Sequence, residues 1–223
     1  MDAFISKVLI FHAAVGGAAL ISGLVALGSR KGRKWHRTSG KVYFWTMTLV
    51  FITGILVAGY RFNRFLFLIA FLSYYSVFAG VRALKLKKIH LGQRPQWYDW
   101  AAGLVNALVN LVFIGLGIFY LTLGRNLGTP LLSIGFGIGG MLISYTNLLP
   151  FVKRPQRPHH WYLSHIGNMV GGYIATSTAF ISTMNTRMEL INSFWAFALP
   201  SLIGIPVLLF WQGRVEKRFT FDR

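Results

Sequence analysis

The sequence contains no cysteine. That one absence excludes a disulfide framework, a thiolate metal ligand, a cysteine nucleophile and a zinc finger. Acidic residues are nearly as scarce. Asp2, Asp99, Glu189, Glu216 and Asp222 are the only five in 223 residues, against 23 lysines and arginines. All five fall outside the long apolar stretches or at their edges. Proton and cation pumps ordinarily carry an intramembrane carboxylate as a relay, and the sequence places none there. Paired-carboxylate chemistry and a mixed histidine–carboxylate metal triad are disfavoured for the same reason. The last apolar stretch lacks lysine, which excludes a retinal Schiff base there.

Charged residues make up 13% of the chain and hydrophobic residues 54%. Soluble domains run near 25% and 45–50%. A pI near 10.9 would suit a nucleic-acid partner. The basic residues argue against one, because they come in short clusters between long apolar runs rather than along one polar face. The opening MDAFISK and the roughly twenty apolar residues after it do not read as a cleaved signal peptide.

A membrane helix needs about 20 mostly apolar residues. Seven stretches qualify: roughly 5–28, 41–60, 65–84, 99–122, 130–151, 161–184 and 192–212. The expectation is therefore an all-α, polytopic membrane helix bundle of about seven transmembrane helices, with residues 1–223 forming a single integral membrane domain. With the N-terminus outside, the outward segments hold only Lys7, Arg61, Arg64, Arg125 and Arg187, leaving 18 of the 23 positive charges inside. The positive-inside rule then gives an N-out, C-in orientation in a bacterial inner (plasma) membrane, against anionic lipid. Trp35, Trp97, Trp100, Trp161 and Trp211 fall at the expected inner boundary, where amphipathic rings settle. GFGIGG (135–140) matches the dinucleotide fingerprint by letter. It sits in the middle of a span, without the strand that the motif requires, so it reads as helix packing.

Histidine, asparagine and hydroxyl groups are the polar groups left inside the spans. Asn106 and Asn110 share a face of span 4, His165 and Asn168 share a face of span 6, and Asn147 lies near the inner end of span 5. Unpaired polar groups in lipid are costly, so these side chains should turn inward. The expectation is a pocket opening to the cytoplasm, lined by Asn106, Asn110, Asn147, Asn168 and Tyr173. The stretch RPHHWYLSHIGNMVGG (157–172) supplies His159, His160 and His165, and KWHRTSG supplies His36. Haem iron held by two histidines needs them on facing helices at equal depth. His36 and His165 meet that condition on the inner side, whereas His12 stands alone in the outer half. Zinc would need three or four ligands, from a set of His36, His159, His160 and His165.

His12 followed by Gly16-Gly17, then WHRTSGKVYFWTM (35–47) and WYLSHIGNMVGGYIATSTAF (161–180), resembles an uncharacterised bacterial multi-pass membrane family, domain of unknown function 2306, in its bacteroidete-like branch. The resemblance spans about residues 8–184, and His12, His36, Arg37, Gly40, His165 and Tyr173 fall on its motif positions. Many members carry HR-x-W-M-x-R near the last motif. This chain has HHWYLSH, without the arginine, which weakens an anion-binding role there. The resemblance implies the membrane spans and the choice of histidines, and no activity.

The functional expectation is a redox or electron-transfer protein binding haem b or a metal through His36 and His165, with His12 a further histidine to consider. Membrane lipids are partners, and quinone is the expected electron partner. The alternative is a small-solute or lipid transporter using the same polar pocket without a cofactor. A membrane hydrolase ranks below both, because no carboxylate is placed to act as base.

Overall fold

A computed structural model of the chain describes residues 2–61, 64–124 and 127–221. Among these the regular structure is entirely helical. The helices are α1 (Asp2–Gly28), α2 (Lys34–Arg61), α3 (Arg64–Ala83), α4 (Trp97–Thr122), α5 (Gly128–Val152), α6 (His160–Met188) and α7 (Ser193–Phe221), with one 3-10 turn at Ile89–Leu91. Six of them, all but α6, are long and apolar enough to cross a membrane. The class is that of a polytopic helical membrane protein. Arg125, one of the positive charges assigned to the outside, lies outside the described residues.

Interior and periphery follow from the packing. α3 packs against α2, α4, α5 and α6, while α6 packs against α3, α7 and α1. Of the α3 span 56% is buried, against 28% or less in the other five apolar spans. α3 and α6 therefore form the centre. The hairpins α1–α2 and α4–α5 flank it, and α7 covers α6. The neighbours of α6 explain how a helix bearing Ser164, His165, Asn168, Thr176, Thr178, Ser182 and Asn185 fits such a bundle. Thr176, Thr178, Ser182 and Asn185 are buried, and hydroxyls at 176, 178, 183 and 186 donate to the carbonyl one turn back. This local bonding is how a polar helix satisfies itself away from water. The outer faces carry Ile10, Ile21, Leu24, Leu108, Leu142, Ile203 and Phe210, each more than half exposed, as lipid-facing positions require.

The helices alternate in direction, so the basic connections gather at one end. That end holds the C-termini of α1, α3, α5 and α7 and the N-termini of α2, α4 and α6. The turn between α1 and α2 is tight, with Gly32 at a φ of 77°, in the left-handed region open to glycine. α2 starts at Lys34, several residues before the apolar stretch expected from 41. His36 therefore sits in the first turn of a helix and its position is fixed. Gln96 and Asp99 form a reciprocal capping box at the start of α4.

Candidate histidine site

The basic end brings His36 of α2 and His165 of α6 together. Their ring centroids are 6.4 Å apart and the planes are nearly perpendicular, at 84°. Nδ1 of His36 lies 2.9 Å from the Ala26 carbonyl oxygen near the end of α1. Nδ1 of His165 lies 2.8 Å from the Gly80 carbonyl oxygen on α3. A carbonyl can only accept, so Nδ1 carries a proton in both rings, and in the neutral form of each ring Nε2 is the nitrogen with the lone pair. Metal-binding histidines are typically held this way, with the non-ligating nitrogen donating to a carbonyl or carboxylate.

Lys31 adds positive charge beside the pair. Its Nζ donates to the carbonyls of Ala26 (3.1 Å) and Leu27 (2.6 Å), capping α1. It also lies 4.9 Å from the ring centroid of Trp211. Burial pushes the Lys31 ammonium pKa down from its ordinary value. Beyond the pair, toward the bundle centre, Ala19, Tyr43, Met47 and Val77 form a buried core, with Phe44, Met169 and Tyr173 packed on it. The Tyr173 hydroxyl donates to the Leu20 carbonyl at 3.2 Å, and its ring lies 6.1 Å from that of Tyr43.

The donor set and spacing suit a single ion. With metal–nitrogen bonds of about 2.0–2.1 Å, two imidazoles on one ion have centroids about 5–6.5 Å apart. The glycines give a mixed answer for a flat macrocycle. A Cβ at Gly80 would lie 2.8 Å from Met169 Cγ and Sδ, and one at Gly167 would lie 2.7 Å from Gln212 Nε2. Those spaces are filled by helix packing. Gly40 and Gly171 have nothing within 4 Å of such a Cβ. A flat macrocycle against Gly80 or Gly167 would need the side chains of Met169 and Gln212 to move aside.

The other histidines lie elsewhere. His12 bonds Thr53 Oγ1 at 2.8 Å, and Gly54 makes room for its ring. Thr53 is 17 residues along α2 from His36, about 26 Å at the helical rise. His12 thus links α1 to α2 in the other half of the bundle. His159 stacks on Phe219 of α7, with centroids 4.4 Å apart and planes 6° off parallel. His160 lines a small cavity described below. Among the described residues no three His, Cys, Asp or Glu side chains cluster as a metal site, so the four-histidine zinc set is not assembled.

The asparagines form two separate groups instead of one pocket with His165. Asn106 and Asn110 are buried (1% and 0% exposed) between α4 and α5. Asn106 Nδ2 donates to Ser144 Oγ at 2.8 Å, and Asn110 Nδ2 donates to the Asn106 carbonyl at 2.7 Å. Asn147 and Asn168 exchange reciprocal amide hydrogen bonds, both 2.8 Å, between α5 and α6.

One feature was hidden from sequence reasoning. Asp99, placed by its position at the membrane edge, is buried and takes two bonds from Arg82, from Nε at 2.5 Å and Nη2 at 3.0 Å. The pair borders a cavity of about 40 Å³ with Tyr75, Asn147, His160 and Ser164. A cavity of that size holds a few waters. The spacing Gln96-x-x-Asp99 was an available signal for a helix cap, and so for a fixed carboxylate.

No known family model, curated protein or solved structure matches the chain.

Proposed function

We propose that this is a seven-span protein of a bacterial inner membrane, N-terminus outside and basic end in the cytoplasm. Its working centre is a redox site in which Nε2 of His36 and Nε2 of His165 hold haem b or one transition-metal ion. The observation that carries this reading is the matched pair of Nδ1–carbonyl bonds on adjacent rings. One such bond is common in any helix bundle. Two of them, on rings at a spacing suited to a shared ion, point to ligation. The topology rests on the charge split in the sequence and on the shelter that α1, α3 and α7 give to α6 as the seventh span.

When bound, the group supplies one-electron chemistry, with its potential set by axial ligands and surroundings. The chain's residues set those surroundings. The Ala26 and Gly80 carbonyls fix tautomer and ring orientation. Lys31 places a positive charge nearby, which favours the reduced, more electron-rich state. The core of Tyr43, Met47 and Val77 closes the centre off from the other half of the bundle. A membrane quinone is the electron partner in this reading.

The test is the absorption spectrum and metal content of the protein purified from its membrane. A Soret band that shifts on dithionite reduction, or one equivalent of a transition metal per chain, supports the proposal. A colourless, metal-free protein, still without a Soret band after haem addition, moves the assignment to the cofactor-free transporter.

A further inference from the structure

A second site lies at the basic end, apart from the histidines. The loop between α3 and α4 and the end of α5 enclose a crevice of about 340 Å³. This is within the range of small-ligand pockets, about 300–1,000 Å³. Gln93, Arg94, Pro95, Trp100, Phe151 and Arg154 are among the residues that line it, and among the described residues its charged groups are the two arginines.

The loop is shaped around one of those arginines. Gly92 has a φ of 95°, and a Cβ there would lie 3.3 Å from the Arg154 guanidinium carbon. Glycine suits the left-handed backbone conformation there, and the Arg154 guanidinium packs against it. Among the described residues neither arginine has an acidic partner. Of the acids described at this end, Asp99 is engaged by Arg82 and Glu216 pairs with Arg157. Two arginines thus line the crevice with no counter-charge among the described residues. They offer the planar donor forks that bind phosphate in bidentate fashion.

What lies beneath the crevice indicates the ligand. Val152, which also lines it, is 77% exposed, and Trp97, at the start of α4, is 78% exposed. A polar crevice with two unpaired arginines, opening onto lipid-facing apolar surface, matches a molecule with an anionic head and an apolar tail. We infer that Arg94 and Arg154 form a specific site for the phosphate headgroup of an anionic phospholipid, with its acyl chains running down past Val152. This inference is independent of the histidine centre.

The experiment is native mass spectrometry of the full-length protein titrated with phosphatidylglycerol or phosphatidylcholine. The first lipid should bind with a clear preference for phosphatidylglycerol. The variant R94Q/R154Q should weaken that first step about 30-fold, at roughly five-fold per interfacial arginine, and leave phosphatidylcholine binding unchanged. R30Q/R33Q, which removes two charges at the same end outside the crevice, should weaken it several-fold less. Arg154→Lys keeps the charge but loses the fork, and should show an intermediate loss. Equal losses in the two double variants would overturn the site in favour of a diffuse surface charge. Inorganic phosphate competing as well as the lipid, mole for mole, would overturn the lipid assignment in favour of a soluble anion.

Discussion

Replacing Gly140 by alanine tests how tightly α4 and α5 are joined. The side-chain amide of Asn110 occupies the place where a Cβ on Gly140 would go. Asn110 is 0% exposed and short, so its amide has no free space to enter. Overpacking of this kind costs about 1–3 kcal/mol. Moving the amide also breaks its bond to the Asn106 carbonyl one turn back on the same helix, worth about 0.5–1.5 kcal/mol. The expected destabilisation of Gly140→Ala is therefore about 2–4 kcal/mol. The adjacent Gly139 has nothing within 4 Å of its own added Cβ. Gly139→Ala should cost less than about 0.5 kcal/mol, or stabilise slightly through helix propensity. Unfolding in mixed micelles with increasing SDS measures both. The second-site change Asn110→Ala should rescue part of the Gly140→Ala loss by removing the clash. Equal stability of the Gly140→Ala and Gly139→Ala proteins would refute the packing argument.

Other expectations follow from the same contacts. Asp99→Asn removes the charge from the half-buried pair with Arg82 and weakens the α4 cap, and should lower stability by about 1–3 kcal/mol; chemical unfolding of Asp99→Asn beside Arg82→Gln/Asp99→Asn should show the double variant less damaged than the single. Thr53→Val removes the partner of His12 and should cost about 1 kcal/mol while leaving absorbance and metal content at the His36–His165 centre unchanged. For topology, a reporter fused after Arg223 should be active only in the cytoplasm and one inserted at Arg125 only outside, and the reverse pattern would end the N-out arrangement.

Much of the architecture could be read directly from the sequence, because length and apolar composition alone define a membrane span. The six long apolar helices fall where the stretches did. α6 is the instructive case: residues 161–184 read as a span, yet its polar content leaves it out of the helices apolar enough to cross a membrane. Its place depends on neighbours that no local pattern specifies. The pairing of His36 with His165 was accessible from depth, since both lie about one turn from the basic boundary on helices that both begin there. Asn106 was placed at the correct depth and on the inward face, but depth does not say which neighbour a face meets. It meets Ser144 across α5 instead of the histidines. Glycine at 167 reads equally well as room for a ligand or for another helix, and the Gln212 side chain from α7 occupies it. Asp99 was hidden because its bond to Arg82 joins two helices across a loop, a tertiary contact with no periodic signature.

The central claim is that His36 and His165 together hold a redox group. Its most direct test is the cofactor content of His165→Ala, His36→Ala and His159→Ala proteins purified in parallel, by absorbance and elemental analysis against chain concentration. His159 stacks on Phe219, away from the pair, and its replacement should leave about one equivalent per chain in place. Loss of either paired histidine should reduce the content at least ten-fold, in line with removing one of two ligands. Full retention of the bound group in His165→Ala, or equal loss in all three proteins, would contradict the assignment.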